Sequence, residues 1–158
     1  MRLWEAIVRG AEKRPQCAGS IWEGIKGFNG TEFEVEKSCA QGAALEGLGC
    51  EPGARFAVQG RYVPRWALEL NIPGCFVCGH PAMEKDGIGW CDWSMWTMLA
   101  HMNDAHNLSR PAIAVLTYYH ERKVLGADAS DDKRFNETFP DTKNEDYVKV
   151  QVCAETKK

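Results

Sequence analysis

"GCFVCGHPAMEKDGIGWCDWSMWTMLAHMNDAH", residues 74–106, sets two cysteines three positions apart and then, beyond a gap of 22 residues, two histidines five apart. Cys75-x-x-Cys78 lies in a turn marked by Pro73-Gly74 before it and Gly79 after it, which lets both sulfurs converge on one ion. His101 and His106 fall at the end of the strongest helical pattern in the chain. Two thiolates with two imidazoles are a donor set that tetrahedral zinc takes in closed structural sites. Cys75, Cys78, His101 and His106 are therefore the candidate ligands, and Zn2+ the expected ion. Asp104, between the two histidines, is placed to accept an imidazole N–H, as carboxylates beside metal-bound histidines often do. Cys91 and His80 are spare candidates for a ligand position.

The histidine spacing sets a geometric condition. Five residues at 100° each make about 500°, so on an unbroken helix the two rings would point about 140° apart. They converge only if the helix ends near His106. Asn107, a residue type that tolerates the left-handed conformation, stands where that stop is needed. Other readings of the cysteine pair fail. Covalent haem attachment needs a histidine directly after the second cysteine, and Gly79 is there instead. A zinc deaminase needs H-x-E upstream of its cysteines, and no histidine precedes Cys75. A thioredoxin-type pair would sit between a buried strand and a helix, which this turn does not.

The chain of 158 residues reads as one domain, with 44% apolar residues and six tryptophans. Its net charge of −3 disfavours a general nucleic-acid coat, which would want a basic face. The N-terminal "MRLWEAIVRGAEKR" lacks the apolar segment of a secretory signal, so the expected location is the cytoplasm. There a disulfide framework is disfavoured, and Cys17, Cys39, Cys50 and Cys153 are expected as small packing residues.

Working outward, Met95, Met98, Leu99 and Met102 form one stripe of a helix over 93–106, with Trp93, Trp96 and Ala100 making most of another. Such a helix is central to the core. "NLSRPAIAVLTYYHERK" starts a further helix, with Ser109 as cap and Pro111 in its first turn. Towards the N-terminus, Leu3, Ala6, Ile7 and Ala11 predict a helix over 3–13. Residues 20–26 and 31–37 predict a hairpin turning at Asn29-Gly30. "SCAQGAALEGLG" reads as a short helix capped by Ser38, its small residues suited to close packing. Residues 50–74 read as loop with one weak segment at 65–70. Residues 126–146, with a net charge of −4, read as a solvated acidic loop, and 147–153 as a C-terminal strand that could join the hairpin. The expected fold class is α+β: short helices around a Cys2His2 zinc site, with a small antiparallel hairpin or three-stranded sheet. Residues 1–125 would form the zinc-stapled core with the hairpin as an insertion, the acidic loop and the strand belonging to the same domain.

Four stretches, "LWEAIVRGAEKRPQ", "SCAQGAALEG", the Cys-x-x-Cys pair and "HMNDAHNLSR", resemble an uncharacterised family of small bacterial and phage-encoded proteins. The resemblance covers about half of the chain. Cys75, Cys78, His101 and His106 fall on that family's ligand-like positions, while Gln41 and Met102 replace its usual leucines. It implies a phage or prophage setting, hence a host cytoplasm, and supplies no activity. Three functions are then open. The first is a non-enzymatic binding module whose partner is a host or phage protein, such as an inhibitor of host defence or transcription. The second is a helix-turn-helix-like DNA-binding regulator, with Ser109, Arg110, Tyr118, Arg122 and Lys123 facing DNA. The third is a metal-dependent nuclease using His101, His106 or His120, against which a closed Cys2His2 set leaves no coordination position for water.

Overall fold

The computed structural model describes residues 1–26, 33–69, 72–79 and 93–142. Among these residues the architecture is α+β, with seven helices and a two-stranded antiparallel hairpin: α1 (Leu3–Ala11), β1 (Trp22–Lys26), β2 (Phe33–Ser38), α2 (Ala40–Gly47), α3 (Phe56–Gln59), α4 (Arg65–Leu68), α5 (Met95–Asp104), α6 (Arg110–Leu125) and α7 (Ala129–Thr138). The Asn29-Gly30 turn, Cys91, His80, residues 143–146 and the segment 147–153 lie outside the described residues, so the sheet described has two strands. No helix among the described residues is long and apolar enough to cross a membrane.

The expected stripe of α5 is the middle of the core: Met95, Met98, Leu99 and Met102 are fully buried, while Trp93, Trp96 and Ala100 are half-buried. Its first turn is closed reciprocally, Thr97 N–H donating to Ser94 Oγ (3.2 Å) and Ser94 N–H to Thr97 Oγ1 (3.1 Å). Against this helix stand α2, α4 and α6, and α1 packs on α2 and α6, so that Leu3, Trp4, Ile7, Leu45, Ile113 and Tyr118 fall in the same cluster.

The closest approach is between α1 and α2. A Cβ on Gly10 would lie 1.8 Å from Ala43 O, and one on Gly47 would lie 1.9 Å from Ala6 O. The two backbones touch, and only glycine leaves room for that.

Three expectations need correction. Ser38 does not cap α2; it ends β2, and Cys39 precedes the helix without a side-chain cap bond. The Ser38 hydroxyl instead accepts from Arg110 Nη1 (3.1 Å). Residues 50–74 hold two short helices, α3 and α4, where one weak segment was expected. The segment 126–142 is no loop, because α7 fills 129–138. Asp128 caps it, accepting from Ser130 N–H (2.9 Å) and Asp131 N–H (3.3 Å). Phe135 then stacks on Tyr118 at 3.6 Å and meets the edge of Trp4 at 5.4 Å, while Trp4 Nε1–H donates to Asp131 (3.1 Å). Among the seven acidic residues of 126–146 stand two aromatic ones, Phe135 and Phe139, that pack on Trp4.

Candidate metal centre

The four expected ligands meet. The donor atoms of Cys75, Cys78, His101 and His106 all lie within 4.8 Å of one another. His101 Nε2 and His106 Nε2 are 3.1 Å apart, and Cys75 Sγ is 3.3 Å from His106 Nε2. A tetrahedral ion with metal–nitrogen bonds near 2.0–2.1 Å and metal–sulfur bonds near 2.3 Å spaces its donors by about 3.3–3.8 Å. The quartet is close enough to hold a metal ion, and each of its members is a ligand type for one.

Local structure explains the convergence. His101 sits in the last turn of α5, the helix stops at Asp104, and Asn107 takes φ 50°. Leu108 N–H reaches back to Met102 O (3.1 Å), folding the chain over the helix end so that His106 returns beside His101. This is the stop that the five-residue spacing demanded. On the other side, Gly79 takes φ 66° and donates to Cys75 O (2.9 Å), closing the cysteine turn. The Ile72–Trp93 bridge, with Ile72 N–H on Trp93 O (2.9 Å), fastens that turn to the entry of α5.

Cys75 is buried, His101 and His106 are half-buried, and Cys78 is exposed. Burial pushes the Cys75 thiol above its ordinary pKa, opposed by the backbone N–H groups of Cys78 and Val77. A cation at the centre would reverse that direction, since metals bind the thiolate. Burial lowers the His106 pKa and so favours the neutral imidazole, the form that ligates. Trp93 packs on His101 with ring centroids 4.6 Å apart.

Asp104 is exposed, and its carboxylate accepts from Asn103 Nδ2 (2.7 Å). Asn103 is a further residue of this corner, not among the candidates read from the sequence. Polar where a small apolar side chain would suit a helix-turn-helix, it is 1% exposed and fully engaged. Its Nδ2 also donates to Cys17 O (2.8 Å), and its Oδ1 accepts from Ala40 N–H (3.1 Å) and Gln16 Nε2 (3.0 Å). Gln16 in turn donates to Leu108 O (2.7 Å) and accepts from Arg110 N–H (3.2 Å). These two amides tie the corner that carries His106 to the start of α2.

Two of the five candidate DNA contacts are buried. Ser109 caps α6 through Ala112 N–H (3.4 Å), but Arg110 and Tyr118 are buried, at 7% and 4% exposure. Arg110 turns inward, donating to Ser38 O (3.3 Å), Ala11 O (3.2 Å) and the Arg14 carbonyl. Tyr118 donates to Asp132 (2.6 Å), which also holds Arg122 (3.1 Å). Arg122 and Lys123 are exposed on the far half of α6. His120, the other histidine considered for catalysis, packs between Phe76 and Trp66, outside the metal quartet.

Fold and site together define a small α+β protein built around a Cys2His2 cluster. Beyond that class the comparisons add nothing: no family model, curated protein or solved structure matches the chain.

Proposed function

We propose that this chain is a zinc-stapled binding module that acts on a protein partner rather than on a substrate. The observation that carries the reading is the composition of the quartet: two sulfurs and two nitrogens from one chain, all within 4.8 Å. Four protein donors satisfy tetrahedral zinc and leave no position for a reacting water, so the ion's work is to hold the cysteine turn against α5. Function then lies on the surface. The resemblance in the sequence supports a phage or prophage setting, with a host or phage protein as the proposed partner in the host cytoplasm.

The helix-turn-helix reading is weaker for a specific reason. Arg110, its best candidate for a base or phosphate contact, is committed to backbone carbonyls inside the protein. A reader of DNA needs several phosphate contacts, each adding about −0.9 to the log–log salt slope. Metal analysis of the purified chain tests the proposal directly. It should return about one zinc per chain, falling to none in the Cys75→Ser, Cys78→Ser double variant. Full zinc content in that variant would refute the ligand set. Selection from random DNA duplexes at physiological salt should enrich no motif; a motif lost with Arg122→Ala would restore the regulator reading.

A further inference from the structure

We propose that Cys78 is a site of reversible oxidation by hydroperoxides, which pairs it with Cys75 in a disulfide and releases the ion that the two thiolates hold. The inference rests on the proposed metal-holding role of the quartet and names the class of reagent that ends it. Two observations carry it: one sulfur of the quartet is exposed, and the other lies beside it on the same short turn.

Cys78 is exposed, while Cys17, Cys39, Cys50 and Cys75 are buried, at 3–8% exposure. Among the described residues it is therefore the sulfur that a solute meets. Oxidation follows thiolate character as well as exposure. A metal-bound cysteine is a thiolate at neutral pH. Burial instead pushes the Cys17, Cys39 and Cys50 thiols up, Cys17 to about 11. Charge and exposure single out the same atom. Two sulfurs and two nitrogens close the tetrahedron, so peroxide finds no place on the ion and reacts at sulfur.

Cys75 is placed to finish the reaction. Its Sγ and that of Cys78 lie within 4.8 Å, on a turn closed by Gly79 N–H donating to Cys75 O (2.9 Å). A disulfide needs Cα atoms no more than about 7 Å apart, which a turn of this length provides. Val77 N–H donates to Cys75 Sγ (3.3 Å) and keeps that sulfur over the turn. In the first step Cys78 Sγ attacks one peroxide oxygen. An S–O bond forms, the O–O bond breaks and hydroxide departs, leaving a sulfenic acid. Cys75 Sγ then attacks the Cys78 sulfur; the S–S bond forms, the S–O bond breaks and a second hydroxide departs. Two thiolates and one H2O2 have become one disulfide and two hydroxides, the sulfurs giving up the two electrons that peroxide takes. His101 and His106 are then the only protein donors left to the ion. The turn at 72–79 loses its hold on the end of α5, while the contact of α1 with α2 is untouched.

The test uses the full zinc-loaded chain at neutral pH, with hydrogen peroxide as the reagent and a chromophoric chelator to report free zinc. Peroxide should release about one zinc per chain as two thiols disappear, and the mass of the denatured chain should fall by about 2 Da. Peptide mapping should find one disulfide, between Cys75 and Cys78. Dithiothreitol followed by added zinc should restore both the metal content and the thiol count. Cys78→His keeps four donors of ligand type and removes the exposed sulfur, so its zinc should be released at least about tenfold more slowly by the same peroxide. Zinc retained while thiols are consumed, a disulfide formed elsewhere, or sulfinic acid as the main product at Cys78 would each overturn the proposal. Should Cys78→His hold no zinc, the mapped product of the native chain decides alone. A native chain without zinc before peroxide is added would instead refute the proposed function.

Discussion

The cysteine turn at residues 72–79 is fastened to the rest of the backbone by the Ile72–Trp93 bridge, and it adds Ile72 and Cys75 to the buried core. Between α1 and α2, by contrast, backbone rests on backbone at Gly10 and Gly47, over a layer of buried Ala6, Ala43 and Ala44. The second region has what any packed core has: many atoms at contact distance, each contributing little and all together contributing much. The first has few such atoms and two metal donors instead, which face His101 and His106 across the cluster. A turn too short to bury enough apolar surface can be held by an ion, and a helix pair that packs this closely needs none.

That contrast breaks most visibly if the metal is removed. Structural zinc contributes about 10–16 kcal/mol of apparent binding energy in small peptides, against a net stability of about 5–15 kcal/mol for a whole domain. Chelation, or the Cys75→Ser, Cys78→Ser pair, should lower the melting temperature by about 15 °C or more, at about 2–4 °C per kcal/mol for a chain of this size. Amide exchange should accelerate first at 72–79 and at the end of α5, while α1 and α2 stay protected. An unchanged melting temperature after verified metal loss would show that the centre does not hold the fold.

The converse experiment strikes the packed region. In Gly10→Ala the new Cβ meets a backbone oxygen at 1.8 Å, which no rotamer change relieves, so the helices must separate. Overpacking of this kind costs about 1–3 kcal/mol and at times more, giving a loss of about 2–12 °C with zinc content retained. Gly60→Ala, where a Cβ meets nothing within 4 Å, should stay within about 0.5 kcal/mol of the native protein. Equal effects of the two substitutions would mean that the α1–α2 contact is looser than described.

A smaller effect sits where α1 begins. The Glu121 carboxyl is raised from 4.5 to about 7, with burial the largest cause. The folded state then holds a proton that the unfolded state has released, and stability falls as pH rises from about 4.5 through 7. At about 1.4 kcal/mol per pH unit the loss is at most about 3.5 kcal/mol by pH 8. Arg2, Asp131 and Arg134 face the same group, so Glu121→Gln isolates its part. The variant should melt above the native protein at pH 8, with the gap closing by pH 5. A constant gap across that range would remove the titration as its cause.

The sequence carried the site better than its surroundings, and the reason is physical. Metal ligands must be particular residue types, so Cys75, Cys78, His101 and His106 announce themselves, and the five-residue spacing implies the helix stop at Asn107. The core stripe of α5 was legible from its period, and the hairpin from alternation together with the Asn29-Gly30 turn signal. What period and charge could not show were side chains that leave their local role for a distant partner. Ser38 looks like a cap but serves Arg110, and Arg110 looks like a surface cation but serves the carbonyls of Ala11, Arg14 and Ser38. Helix α7 was hidden because net charge was weighed over the Asp128 cap and the Phe135–Phe139 pair four residues apart, both visible in the sequence.

The smallest predicted effect falls at Asp104, where the two regions join. Its neighbour Asn103 reaches into the packed half, to Cys17, Gln16 and Ala40, while His101 and His106 on either side belong to the cluster. A carboxylate that steadies a ligating imidazole weakens metal binding about 10–100-fold when removed. The Asp104 carboxylate instead accepts from Asn103 Nδ2, which already has Cys17 O as a second acceptor. Asp104→Ala therefore deprives Asn103 of one of two acceptors at an exposed position, a loss of about 0.5–1 kcal/mol. Zinc affinity, measured by competition with a chromophoric chelator, should fall less than about tenfold. A larger drop with the melting temperature unchanged would move Asp104 from the packed region to the metal-held one, and the border between the two would shift by one residue.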